Sequence, residues 1–94
     1  MRGVRKLLVV RRAIAPTKLA SYEEAWLRFR DAVDRAGANA WRFRSVRDEG
    51  LFTEFLEFPA EVDPRDESPV ADASGLLESF GPSDATEWID ANPS

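Results

Sequence analysis

Tyr22, Trp26, Phe29, Val33 and Ala36 recur at helical spacing, and this stripe constrains the fold more than any other feature of the sequence. Ala25 and Ala32 flank it, while Glu23, Glu24, Arg28, Asp31, Asp34 and Arg35 mostly occupy the other side. A helix with so broad an apolar face has to lie on a second layer of structure. Ser21 and Glu24 have the spacing of a capping box, and Gly37 stands where a C′ glycine ends a helix. The pattern predicts one amphipathic helix over residues 22–36, about four turns long.

Strand-like segments surround that helix and supply the layer. Residues 5–15 read as a strand ended by Pro16, with Leu7, Leu8, Val9 and Val10 forming an unbroken apolar run. Such a run suits a strand covered on both faces. Residues 41–46 and 51–58 are rich in aromatic and β-branched side chains and read as a hairpin. A three-residue turn, Asp48-Glu49-Gly50, pairs Arg44 with Glu54, Phe43 with Phe55 and Trp41 with Glu57, with Gly50 left-handed. A two-residue Glu49-Gly50 turn pairs Trp41 with Phe58, Phe43 with Leu56 and Arg42 with Glu57. Turn chemistry favours the first, because glutamate resists positive φ. Either way, Arg42 and Arg44 share one face and Trp41 and Phe43 the other.

The second half changes character. Pro59, Pro64 and Pro69 with Glu61, Asp63, Asp66, Glu67 and Asp72 predict a solvated loop over 59–74. Leu76, Leu77 and Phe80 suggest a short helix over 75–80, and Asp84 with Glu87 resembles a second capping box opening a final helical turn. The expectation is one α+β domain over residues 1–94, ordered β-α-β-β-α on an antiparallel sheet, with a helical tail over 75–94; a fourth strand is not evident there, and its presence stays open.

Composition removes several kinds of chemistry. The chain has no cysteine and no histidine. It therefore cannot form a disulfide, a thiolate metal site, a Ser-His-Asp triad or a histidine-ligated haem by itself. Neither a nucleotide-binding glycine loop nor an EF-hand spacing occurs, so no cofactor and no metal are expected. Charge is lopsided: residues 1–47 carry twelve of the thirteen basic residues and four acids, while the remainder carries Arg65 and thirteen acids. Two opposite halves that attract one another, within the fold or across a dimer, account for this better than a nucleic-acid surface, since the pI is near 4.8 and no basic run exceeds two residues. The apolar run after Arg5 and Lys6 is too short for a signal peptide, and no stretch approaches a membrane span. A cytoplasmic location is expected.

Tyr22-Glu23-Glu24-Ala25-Trp26, Ala36-Gly37-Ala38 leading into Trp41-Arg42-Phe43-Arg44, and Phe55-Leu56-Glu57-Phe58 resemble the ferredoxin-like unit of the dimeric α/β-barrel superfamily. The similarity covers roughly residues 4–60 and is to the antibiotic-biosynthesis-monooxygenase-like domains. It implies a homodimer in which sheets from two subunits close on each other. It also implies a range of activities, from cofactor-free monooxygenases to muconolactone-isomerase-like proteins. The haem-degrading branch, with its Asn, Trp and His constellation, does not fit a chain without histidine.

The candidate ligand-binding residues are Arg42 and Arg44 with Glu54 or Glu57, joined by Tyr22 and Trp41. An arginine can hold a carboxylate or phenolate in a fork, and a glutamate in apolar surroundings can act as a base. The plainer alternative is a cross-strand ion pair contributing about 0.2–1 kcal/mol. Tyr22, Trp26 and Trp41 serve packing first, whereas for Trp88, in a short tail where the core has thinned, docking on a partner subunit or capping a pocket weighs evenly against plain packing. The expected function is a homodimeric domain that binds a small apolar or anionic molecule or acts as an interaction module. The alternative is a cofactor-independent monooxygenase or isomerase acting on an aromatic or polyketide-like substrate.

Overall fold

Pro16 decides where the helix begins. In the structure, a computed structural model that describes residues 3–81 and 83–91, it opens a 3-10 turn, Pro16–Lys18, that runs directly into helix α1, Leu19–Arg35. Proline suits this position, having its φ preset and no N–H to leave unpaired. The helix thus starts about a turn before residue 22. Ser21 lies inside it, Lys18 is the N-cap, and the capping box over Ser21 and Glu24 does not form. The other end is as predicted. Gly37 has φ +79°, and the Ala38 and Gly37 amides donate to the carbonyls of Val33 and Asp34, each at 3.1 Å. This double bond pattern closes the helix, with Ala38 and Val33 both buried behind it.

The sheet comprises β1 (Arg5–Ala13), β2 (Asn39–Arg44), β3 (Leu51–Pro59) and β4 (Ser83–Ile89), antiparallel throughout and ordered β2-β3-β1-β4. Helix α2, Ser68–Glu78, completes a β-α-β-β-α-β chain order, the ferredoxin-like α+β fold. Two expectations for the second half are corrected. The stretch 59–74 is not one loop: Pro64 opens a 3-10 turn, Pro64–Asp66, and Pro69 lies in the first turn of α2. These prolines start helical segments and do not interrupt them. Val70, Ala73 and Leu77 then turn toward the core. The tail is not helical, because β1 would otherwise leave one edge unpaired. β4 fills that edge, setting Trp88 beside Leu7, Thr86 beside Val9 and Asp84 beside Arg11. The need for ladder partners on the most apolar strand overrides the local capping pattern. Residues 82 and 92–94 of the expected tail lie outside the described residues.

Neither expected hairpin register is the observed one. Trp41 faces Phe55, Arg42 faces Glu54, Phe43 faces Thr53, Arg44 faces Phe52 and Asn39 faces Glu57. The connection is longer because Ser45 ends the strand: its Oγ accepts the amides of Arg47 and Asp48, and Asp48 in turn accepts that of Gly50. Gly50 is not left-handed; the positive-φ glycines among the described residues are Gly37 and Gly81. Its role is close approach. The Gly50 carbonyl accepts the Ile14 amide at 2.6 Å, and a Cβ at residue 50 would stand 2.3 Å from the Ile14 carbonyl oxygen. The shift from the favoured register is two residues, so the assignment of side chains to faces survives.

One sheet face carries both helices, and the core lies between them: Ile14, Tyr22, Trp26, Phe29, Val33, Phe52, Leu56, Phe58, Val70 and Leu77. Among the described residues, nothing is layered over the other face. Among the described residues, no helix is long and apolar enough to cross a membrane.

Candidate functional site

Alternation along β1 sends Leu8, Val10, Arg12 and Ile14 to the helix side, placing an arginine in a row of core positions. Along β3 the same rule sends Phe52, Glu54, Leu56 and Phe58 inward. Val10 faces Glu54 and Arg12 faces Phe52, so Arg12 and Glu54 are diagonal neighbours on one face. Arg12 is 2% exposed and Glu54 5%. They form a fork, Nε to Oε2 and Nη2 to Oε1, each 3.0 Å. Tyr22, fully buried in the first turns of α1, donates its hydroxyl to the same Oε2 at 2.6 Å. Arg12 Nη2 also reaches Glu78 at 3.4 Å, and Glu78 accepts the Ser83 hydroxyl at 3.0 Å.

Lone-pair accounting limits what this cluster can do. Both Glu54 oxygens are taken, and two of their three donors come from a cation. Burial is the largest influence on Tyr22 and the Glu54 carboxylate the next; together they raise its pKa well above the ordinary tyrosine value of 10.0. Tyr22 is therefore held neutral as a donor. Burial would pull the Arg12 guanidinium down, but Glu54 and then Glu78 more than reverse this. The adjoining void, lined by Leu8, Val10, Phe29, Leu56 and Leu77, measures about 30 Å³, room for a water or two.

Arg42 turns away from Glu54, its cross-strand neighbour. Its guanidinium carbon sits 5.1–5.2 Å from the ring centres of Tyr22, Trp26 and Phe52, and its Nη2 bonds Glu23. This cation–π box ties the edge strand β2 to α1. Arg44, two residues on, is exposed beside it.

The remaining candidates lie on the open face. Trp41 stacks on Phe55 with ring centres 5.3 Å apart and planes 9° from parallel, and Phe43 meets Phe55 edge-on at 6.0 Å. Leu7, Val9 and Trp88 extend the apolar band across the sheet. Trp41 is 39% exposed, Phe43 66% and Trp88 57%. Glu57 also points here, within 3.6 Å of Arg5 and accepting the Asn39 amide at 3.3 Å. The candidates thus divide between two faces: Tyr22, Arg42, Arg44 and Glu54 toward the helices, Trp41 and Glu57 away from them.

Arg12 is the residue sequence reasoning missed. Its signal was available, since the period of two through Leu8, Val10 and Ile14 passes through it. The opposite charges of the two halves do meet within the fold. Arg5–Glu57, Arg12–Glu54 and Arg12–Glu78 each join a basic first half to an acidic second half.

No protein-family model matches the chain, and no curated protein sequence matches it. Solved structures do. A protein from Nitrosomonas europaea bearing the antibiotic biosynthesis monooxygenase name superposes with a TM-score of 0.79 at 11% identity, over 100% of this chain and 97% of its own. SnoaB, a cofactor-independent oxygenase from Streptomyces nogalater, gives 0.80 at 11% identity over 95% of each chain. A conserved protein of unknown function from Bacteroides thetaiotaomicron gives 0.78 at 16% identity, over 96% of this chain and 100% of its own. The likeness is one of fold: the chain has the ferredoxin-like architecture of antibiotic-biosynthesis-monooxygenase-like proteins.

Proposed function

We propose that this protein is a homodimeric domain that binds a small molecule, with a second copy laid against the open sheet face. The uncovered band of Leu7, Val9, Trp41, Phe43, Phe55 and Trp88 carries this reading. Contiguous exposed apolar surface of this kind marks an interaction site, and aromatic side chains are the usual anchors of an interface. A second copy is the occupant because the face is self-complementary in kind. Aromatic rings form its middle, while Arg5 and Arg11 stand on the same face as Glu57 and Asp84, giving charges of both signs. Sedimentation velocity at micromolar concentration is the test: a dimer is expected, and a monomer at every concentration would overturn the reading.

A second reading, a cofactor-independent oxygenase or isomerase, draws on the buried Arg12–Glu54–Tyr22 cluster and its void. The geometry favours binding over catalysis, because both oxygens of Glu54 are occupied and Tyr22 is kept from ionising. Turnover of aromatic substrates by the wild-type chain, lost on Tyr22→Phe with the fold intact, would reverse that preference.

A further inference from the structure

Arg42, Arg44 and Ser45 meet at the β2 end of the helix-side face, around a surface cleft of about 330 Å³ shared with Glu23, Val46 and Phe52. The donors there are unusually idle. Arg42 Nη1 is buried without an acceptor among the described residues. The faces of three rings beneath Arg42 steady its charge; of these only Tyr22 carries an oxygen, and its hydroxyl hydrogen is committed to Glu54. The Arg44 guanidinium makes no hydrogen bond or ion pair among the described residues. Ser45 Oγ accepts the amides of Arg47 and Asp48, leaving its own hydrogen to donate. Glu23, the one carboxylate in the lining, is already bonded to Arg42 Nη2. A buried guanidinium nitrogen left unpaired is costly, and a second free guanidinium two residues along the same strand face adds like charge with nothing to offset it.

We propose that this cleft binds the oxyanion of a small molecule, a carboxylate or phosphate monoester, whose apolar body lies along Phe52 and Val46. The proposal rests on the small-molecule reading above and gives it a ligand class. Arg44 supplies a forked, charge-assisted pair of bonds, Arg42 a single one through Nη1, and Ser45 a hydroxyl donor, a recognition set such groups favour. The cleft lies on the helix-side face, so a second copy on the opposite face does not cover it.

The test is a chemical-shift titration of the uniformly ¹⁵N-labelled full chain with benzoate, phenyl phosphate and uncharged benzamide. The expected result is saturable movement of the Arg44, Ser45 and Val46 amides with at least one of the two anions, and none with benzamide. The stronger anion identifies the headgroup. Arg44→Gln should weaken binding about tenfold, equivalent to about 1.4 kcal/mol, and Arg42→Lys should weaken it while keeping the charge. Equal response to benzamide, unchanged affinity in Arg44→Gln, or no saturable movement with either anion would each overturn the proposal. Phe43→Asp should bind as wild type does. Sedimentation of the same samples then separates failure of the dimer from failure of this site.

Discussion

The two faces of β3 solve opposite problems with the same residue types. Toward the helices, Glu54 sits among Phe52, Leu56 and Phe58 with each oxygen bonded. Away from them, Glu57 is half-exposed beside a loose partner at 3.6 Å, while Phe55 and its aromatic neighbours carry the apolar surface. One face buries charge and the other bares hydrocarbon. A buried pair gains little net stability over an apolar substitute, yet removing one partner is severe. An exposed pair contributes little in either event. The inward glutamate is thus a commitment of the fold, whereas the outward rings await something to cover them.

The sharpest break of that contrast is Glu54→Gln, which leaves the buried Arg12 guanidinium only its longer contact to Glu78 as a charged partner. A loss of about 3–5 kcal/mol is expected in urea unfolding. A change under 1 kcal/mol would mean that Arg12 escapes to water. Tyr22→Phe should cost about 1.5–3 kcal/mol, as it removes one bond to a charged acceptor and leaves the ring in place. The same residue predicts alkaline behaviour. Its folded pKa is raised, so its contribution is complete below the ordinary tyrosine value of 10.0 and is lost as pH climbs toward the folded pKa. Tyr22 is the sole tyrosine. Absorbance near 295 nm should therefore stay flat past the normal tyrosine range and rise only with unfolding; a simple titration centred at the ordinary value would contradict the buried bond.

On the open face, Phe43→Asp should weaken self-association by at least about 2 kcal/mol, roughly thirtyfold. Its far-ultraviolet circular dichroism should match wild type. A variant that stays dimeric would move the interface elsewhere. The smallest effect belongs to Glu57→Gln, expected within about 1 kcal/mol of wild type, because its partner is half-exposed and salt-screened. A loss matching that of Glu54→Gln would abolish the distinction between the faces.

How much of this was legible depended on whether a pattern was local. The stripe from Tyr22 to Ala36 identified α1, and Gly37 its end, since both signals lie within a few turns of chain. The division of Arg42 and Arg44 from Trp41 and Phe43 followed from strand alternation and survived a register shift of two. The register itself rests on Ser45 accepting amides within its own turn and on Gly50 meeting Ile14, a contact between distant residues. Pro64 and Pro69 were read as loop formers because proline ends one segment and starts another with equal ease. β4 was hidden for a different reason: Asp84 and Glu87 fit a helix start, and only the unpaired edge of β1 decides against it. Tyr22 and Glu54 were both among the candidates and the fold brings them into one hydrogen bond, but Arg12, their shared partner, was obscured by Arg11 beside it.

Placing β1 between β3 and β4 has a consequence for how the chain acquires its shape. The first of these four strands in chain order needs neighbours from residues 51–59 and 83–89, so both of its ladders close over long stretches of intervening polypeptide. Such non-local pairing slows folding and raises the entropy of loop closure. A nascent chain that has emerged only as far as residue 47 presents a strongly cationic, aromatic segment lacking every strand that will pair with β1. Truncation before β4 should accordingly yield not a smaller domain but an open-edged species prone to aggregate.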